Sequence, residues 1–540
     1  MKSTGAKRTL LIDCQILQTP AFDRGMGKYT ISILKTFIEK NKIEKKYDNI
    51  QLVLSKNLEI SGTRLEYIKN QINVEQVLLD LPVDISHQYK EKHDQSVKKL
   101  TLYVESTYKK AEDVDFLIMA PFFVGFASAF PEKCGSKFVI VYDLTPQKIW
   151  HKLKIFPDDI YFSHYNLFFE ANHLFTISHA VRDEMVLYLG LPESKLSAID
   201  GGPFMQEENK VNGVSETSKK LLDKPFILFP SGSIVHKNNH RAVEGFAKFN
   251  RLHDDKYRLL VTSTFSEDDQ RNLKQICPAV YFTGNISDEE INYMYTKADA
   301  VLFASIAEGL GMPVLEASVS ETPVACSNIP VLRELSGEAF YLFDPSDVQD
   351  IADKLTKAVA RENWVKHLNA IRIVQKKYTW ERSATLLFEK MTSASTHSSR
   401  PKPSCILVVK VNNLNSPASY LAERALGQLS GQYQVELLLH EKRHISAPLF
   451  LSYYNKQAKM NNKNNTTTIT ISDTRNILKI GRESSRVHVE IRCSKDHNTK
   501  YTSRRVTLDK MLELKEWQYK TNAQPWQLAH RLAEDIVSNL

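Results

Sequence analysis

The chain has 540 residues, enough for about two to four domains with sizeable buried cores. Its 42% hydrophobic and 25% charged residues are ordinary for a globular protein. A formal net charge of +8 over this length gives no reason to expect nucleic acid as a partner, and it suits anionic nucleotides or an anionic membrane face. The six cysteines (Cys14, Cys134, Cys277, Cys326, Cys405 and Cys493) are scattered, with no CxxC pair. They read as reduced cytosolic thiols and speak against a disulfide framework or a zinc site. No stretch approaches the roughly 20 apolar residues of a membrane span, and the apolar run after Arg8 is too short for a secretory leader. A cytoplasmic chain is expected, with peripheral attachment at the inner membrane face compatible with its charge.

Taken in order, Thr9 to Asp13 reads as a buried parallel strand. Arg24-Gly25-Met26-Gly27-Lys28-Tyr29 follows as a glycine turn, and Thr30 to Ile38 then shows helical periodicity through Ile31, Leu34 and Ile38. Strand, glycine turn and helix together expose backbone N–H groups to an anion, although a glycine pair serves packing equally well. Further strands are expected at Ile50–Leu54, Phe116–Met119 and Phe138–Tyr142, with a polar, lysine-rich region between the first two. Asp143 stands at a strand end, where it can cap a turn or face a ligand. Asn172 to Ser178 is another strand, and Ser178 is placed to cap the helix that follows. Ser178 and His179 are expected to be structural. Asp200-Gly201-Gly202-Pro203 and the polar stretch to Lys220 read as a hinge.

Pro225 to Pro230 begins a second strand–helix series, with Lys237 between a glycine turn and a helix from Arg241 to Phe249. Two more units follow, one from Tyr257 with a charged helix at Glu267, the other from Val280 through Gly284-Asn285 to a helix at Asp288. Ala300 to Ala304 then runs into Ser305-Ile306-Ala307-Glu308-Gly309-Leu310-Gly311, and Met312-Pro313-Val314-Leu315-Glu316 opens a helix. Proline suits a first helical turn, and such a helix start presents free N–H donors and the positive end of a dipole. Glu308 and Glu316 bracket a loop that can hold a diphosphate, with sugar hydroxyls on either flank. The same pattern also fits a plain strand-to-helix turn.

Glu308-Gly309-Leu310-Gly311-Met312-Pro313-Val314-Leu315-Glu316 resembles the Glu-x7-Glu signature of the family-four retaining glycosyltransferases. Thr322-Pro323-Val324, Asn328-Ile329-Pro330 to Glu334-Leu335, and Phe343-Asp344-Pro345 with Asp347 extend the likeness. Arg24 to Tyr29 is similar to that family's RGxGRY turn, and Tyr142-Asp143-Leu144-Thr145-Pro146 to its His-Asp-Leu-Ile-Pro element, with Tyr142 in the histidine's place. Lys237 falls on the family's lysine, while the arginine many relatives carry a few residues earlier is replaced by Ser233 or Ile234. The likeness spans residues 8 to 392, and its opening segment is similar to bacterial surface-polysaccharide mannosyl- and rhamnosyltransferases.

The resemblance implies a GT-B, α/β fold of two Rossmann-like parallel-sheet domains facing across a cleft; beyond it, where no family is recognised, the residue pattern reads as a small C-terminal α/β domain. The expected divisions are an acceptor domain at 1–203 and a nucleotide-sugar domain at 204–391, whose helix at 378–391 crosses back. A Ser/Thr/Pro-rich linker would occupy 392–404, and an accessory α/β unit 405–540. In that unit we expect strands at Cys405–Val411, Val435–Leu439, Thr467–Ile471 and Val487–Ile491, and a helix at Ala418–Leu429. A polar loop at Asn461–Asn465 and a basic, aromatic, helix-rich end complete it.

The activity implied is a retaining transfer of a sugar from a nucleotide-sugar donor, GDP-mannose being the one the likeness favours, to a glycan or lipid-linked acceptor. Glu308, Lys237 and Asp143 would carry the chemistry. Gly25, Gly27, Gly284, Gly309, Leu310, Gly311, Met312, Val314, Leu315 and Glu316 would bind the donor. Neither a cofactor nor a metal is expected, and Asp113 and Asp115 lack a metal-binding context. Three other readings stay open: a catalytically degenerate GT-B scaffold or glycan-binding subunit, a protein O-glycosyltransferase, and a phosphorylase or epimerase of the same fold. For the last, no cofactor lysine or acid/base set is evident.

Overall fold

The computed structural model describes residues 8–83, 89–121, 126–145, 167–168, 170–189, 191, 193–204 and 221–394, and the backbone of seven strands between 406 and 507. The first sheet contains β1 (Thr9–Asp13), β2 (Asn49–Ser55), β3 (Glu75–Leu79), β4 (Val114–Ile118), β5 (Lys137–Val141), β6 (His173–Thr176) and β7 (Leu196–Ala198). All are parallel, in the order β3-β2-β1-β4-β5-β6-β7. β1 and β4 are buried along their whole length. That is why they read as unbroken apolar runs and not as alternating strands.

The second sheet contains β8 (Phe226–Phe229), β9 (Arg258–Val261), β10 (Val280–Phe282), β11 (Ala300–Phe303), β12 (Val324–Ser327) and β13 (Tyr341–Phe343). It is also parallel, in the order β10-β9-β8-β11-β12-β13. This is the doubly wound order, which reverses between β8 and β11 just as the first sheet reverses between β1 and β4. Ligands in such sheets sit beyond the strands' carboxyl ends at that reversal.

Helices on the first sheet include α1 (Gly25–Glu44), α2 (Gly62–Ile72), α3 (Tyr89–Thr107) and α4 (His179–Leu189). The second sheet carries α5 (Asn239–Arg251), α6 (Glu267–Ile276), α7 (Asp288–Lys297), α8 (Met312–Val319), α9 (Pro330–Ser336), α10 (Val348–Val359) and α11 (Trp364–Lys377). α12 (Trp380–Ala394) leaves the second sheet and packs on α1, with the Phe37 and Phe388 ring centroids 5.7 Å apart. Burying each such side chain contributes about 1.5–3 kcal/mol. One apolar cluster runs through Tyr29, Tyr142, Ile177, Leu310 and Phe388, so the two sheet domains share a core across their junction.

Four expectations change. Gly25 and Gly27 lie inside the first turn of α1, with Arg24 as its N-cap, and not in a turn before it. A Cβ at Gly27 would stand 2.3 Å from the Phe22 carbonyl oxygen, so the helix start can pack on the preceding turn only with glycine there. The lysine-rich region after β2 holds α2, the edge strand β3 and α3. Asn461, Asn462 and Lys463 are not loop: they end β16 (Ala458–Lys463), which pairs antiparallel with β17 (Thr466–Ile471). With β14 (Ile406–Val411), β15 (Gln434–Leu439), β18 (Ile477–Glu483), β19 (Arg486–Ser494) and β20 (Tyr501–Thr507), these strands form a mixed third sheet. Arg504 and Arg505, expected in the basic end, are in the strand β20. The helix at Ala418–Leu429, the residues from 508 onward and the hinge's polar stretch from 205 to 220 fall outside the described residues.

Candidate active site

The reversal between β8 and β11 brings together two segments far apart in the chain. After β8, Ser231 to Asn238 forms a loop with a short 3-10 turn at Val235–Lys237. Asn239 holds the turn, accepting from the Ser231 hydroxyl at 2.6 Å and donating to the Gly232 carbonyl at 2.8 Å. Asn238 adopts a left-handed backbone, φ +58°, a conformation asparagine tolerates, and donates to the Pro345 carbonyl. After β11, the Ile306 N–H donates to the His236 carbonyl at 2.8 Å, tying the second segment to the first.

Lys237 Nζ then meets Glu308 Oε1 at 2.7 Å, the two side chains 21% and 14% exposed. Burial of Glu308 opposes its ionisation. The charges of Lys237 and His236, with hydrogen bonds from Lys237 and Ser305, outweigh that and hold its carboxyl below the usual range. His236 and Ser305 are neighbours of Glu308 that the sequence reading passed over. A Gly-turn histidine next to the lysine was the available signal.

Gly309 sits where the two domains touch. A Cβ there would lie 2.2 Å from the Tyr142 carbonyl oxygen and 3.0 Å from Asp143 Cβ. Glycine at this position is thus required by the approach of β5's end to the loop. Asp143 Oδ1 accepts the Thr145 N–H at 2.8 Å, a turn cap, and the residue still lies partly exposed beside Gly309. Tyr142 is 8% exposed, and its hydroxyl faces Thr30 Oγ1 at 2.8 Å in α1. Its polar tip therefore serves the helix, in contrast to a ring aimed at a ligand. Leu310 is buried, and a Cβ on Gly201 would meet its Cδ2 at 2.8 Å.

Gly311 is the N-cap of α8 with φ +97°, a left-handed backbone that glycine adopts without penalty. Its carbonyl accepts from Val314 N at 3.1 Å and Leu315 N at 3.4 Å, and Pro313 has no N–H. The N–H groups of Val314 and Leu315, expected to face an anion, are thus engaged inside the helix, and Met312 opens its first turn.

One turn into α8, Glu316 Oε2 accepts from the Tyr295 hydroxyl at 2.8 Å. Burial pushes the Glu316 carboxyl up to about 7, against the pull of Tyr295 and Lys28. Lys28 of α1 pairs with Asp288 at the start of α7, so a cation from the first domain reaches the rim near Glu316. Tyr295, Lys28 and Asp288 were not among the expected site residues. Gly284, at φ +69°, follows β10 and has nothing within 4 Å of where a Cβ would stand. Gly25 likewise has nothing within 4 Å of a notional Cβ.

Two doubly wound domains joined face to face, with a lysine–carboxylate pair at the crossover of the second, define the GT-B class. Residues 214–376 match the family described as Glycosyl transferases group 1. It is 22% identical over 406 residues to the serotype-specific mannosyltransferase WbdA of Escherichia coli, covering 71% of this chain and 48% of that one. Over 183 residues it is 30% identical to the O-antigen chain mannosyltransferase RfbU of Salmonella typhimurium, covering 33% and 48%. The matched segments thus span about half the length of these relatives. A glycosyltransferase structure from Rickettsia africae superposes with a TM-score of 0.51 at 15% identity, over 73% of this chain and all of that one, which bears on the fold. No helix among the described residues is long and apolar enough to cross a membrane.

Proposed function

We propose that the chain transfers a sugar, with retention of anomeric configuration, from a nucleotide-sugar donor to a glycan or lipid-linked glycan of a bacterial surface polysaccharide. The observation that carries this reading is the Lys237–Glu308 pair at the β8–β11 crossover, opposite the strand end bearing Asp143. The donor diphosphate lies over the start of α8, where the helix dipole and the Gly311 and Met312 N–H groups favour an anion. Gly25 and Gly27, at the positive end of α1, face it from the first domain. Lys237 neutralises the charge that grows on the leaving diphosphate. Glu308 accepts hydrogen bonds from the transferred sugar, Glu316 from the ribose, and the backbone at Gly284 borders the base.

The bond from the anomeric carbon to the diphosphate oxygen breaks as the acceptor hydroxyl approaches on the same face. The departing phosphate oxygen takes the hydroxyl's proton, so no metal or cofactor enters the step. Residues 1–203 hold the acceptor and 204–391 the donor. The two mannosyltransferase relatives make GDP-mannose the first donor to try.

Nucleoside diphosphate release is measured from a panel of nucleotide sugars, with candidate glycan acceptors and a Glu308→Ala control. Release from one donor, abolished in the control, supports the reading and identifies the sugar. Silence with every donor and acceptor moves the assignment to a binding subunit of the same fold.

A further inference from the structure

We propose that His179, Asp200 and Glu334 form a site for one divalent first-row cation, of the zinc or manganese class, that bridges the two sheet domains. His179 opens α4 and Asp200 follows β7, both in the first domain, while Glu334 lies in α9 of the second. One ligand-capable atom from each lies within 4.8 Å of the other two. A neutral imidazole with two carboxylates suits zinc and manganese better than magnesium or calcium. Around a tetrahedral zinc, ligand atoms stand about 3.3 Å apart, so shifts of about 1 Å seat the ion and leave room for a water.

A second observation points to a ligand. Asp200 is fully buried, and its Oδ1 has no hydrogen-bond partner, a costly arrangement for a carboxylate. Its other oxygen accepts from Arg382 Nη1 at 2.6 Å. Glu334 is oriented in the same manner, its oxygens accepting from His179 N at 3.1 Å and Ala180 N at 2.8 Å. Both carboxylates are thus oriented by hydrogen-bond donors, which is how ligating carboxylates are commonly fixed. The two carboxylates carry two negative charges and Arg382 one positive, so a divalent ion brings the centre to a single positive charge. The donor-site residues Lys237, Glu308 and Glu316 are not part of the cluster, so the ion staples the domains without touching the transferred group.

Tag-free full-length protein is dialysed against Zn²⁺ and, separately, Mn²⁺, and bound metal is quantified by mass spectrometry. Co²⁺ substitution serves as a spectroscopic probe of nitrogen coordination. One ion per chain is expected, removable by chelator, with affinity lowered more than about tenfold in His179→Ala and Asp200→Asn. Circular dichroism checks that both variants fold. Glu334→Gln keeps an amide oxygen for the α4 N–H groups and is the test if either does not. Absence of a retained ion, or equal retention in folded variants, or a Co²⁺ spectrum without nitrogen ligation, overturns the proposal.

Discussion

The Ser178 hydroxyl donates to the Gly309 carbonyl at 2.7 Å, joining residues 131 positions apart in different domains. The same oxygen caps α4 by accepting the Val181 N–H at 3.2 Å. Glu334 answers from the second domain by accepting the first two N–H groups of α4, where the helix dipole favours a carboxylate. The two domains are therefore tied at the start of α4 by bonds running in both directions.

Ser178→Ala removes the cap and leaves the buried Gly309 carbonyl without its partner. Chemical denaturation is expected to show a loss of about 2–3 kcal/mol. Donor dissociation constants should rise as well, since the loop carrying Glu308 loses its tether. Unchanged affinity would restrict Ser178 to capping.

Gly309→Ala places a methyl group 2.2 Å from the Tyr142 carbonyl oxygen. The domains must part locally, because backbone lies on both sides of the contact. A larger radius of gyration by small-angle scattering is expected, with transfer activity lost and far-ultraviolet circular dichroism retained.

Removing one partner of the Lys237–Glu308 pair leaves the other charge partly buried and unmatched. Lys237→Met and Glu308→Gln should each cost about 1–3 kcal/mol in stability, and the double variant less than their sum. On turnover, Lys237→Met should lower kcat about 10²- to 10³-fold. A double-mutant cycle in stability and single-turnover kinetics checks both.

Glu316 carries a carboxyl raised from 4.5 to about 7. Between those values the unfolded chain releases this proton while the folded chain keeps it. This residue therefore makes stability fall as pH rises across that window, by linkage. Its ionised form accepts ribose hydroxyls better, so nucleoside diphosphate affinity should rise as pH passes about 7. Calorimetry on wild type and Glu316→Gln tests this, the variant being expected to lose that step.

Tyr142→Phe deletes a hydroxyl that faces Thr30, away from the proposed donor. A stability loss of about 1 kcal/mol is expected from denaturant midpoints, with turnover per folded molecule unchanged. A large fall in kcat would place the phenol in the reaction.

Much of this organisation was legible along the chain. β1, β4, β8 and β11 are buried on both faces and so appear as short apolar runs. Ser178 was recognised as a cap because capping is a relation between near neighbours. β3 was missed because its five residues, Glu75–Leu79, form a partly exposed edge strand with little apolar pattern. The start of α1 was misread because glycine argues locally for a turn. Its helical state is imposed by packing on Phe22. Asn461 and Asn462 looked like loop residues, yet pairing with Thr468 and Thr467 places them in a strand.

The sequence by itself determined the central strands β1, β4, β8 and β11, the glycine loop before a proline-bearing helix, and the carboxylates at Glu308 and Glu316, since each depends on spacing within a few residues. Only the tertiary structure decided that Lys237 pairs with Glu308, that Tyr295 holds Glu316, that Lys28 reaches Asp288, and that Ser178 holds Gly309. Those contacts follow from the order of strands in each sheet and from the closure of one domain on the other. Neither arrangement is contained in local periodicity, because adjacency in a parallel sheet is set by crossovers that join distant segments.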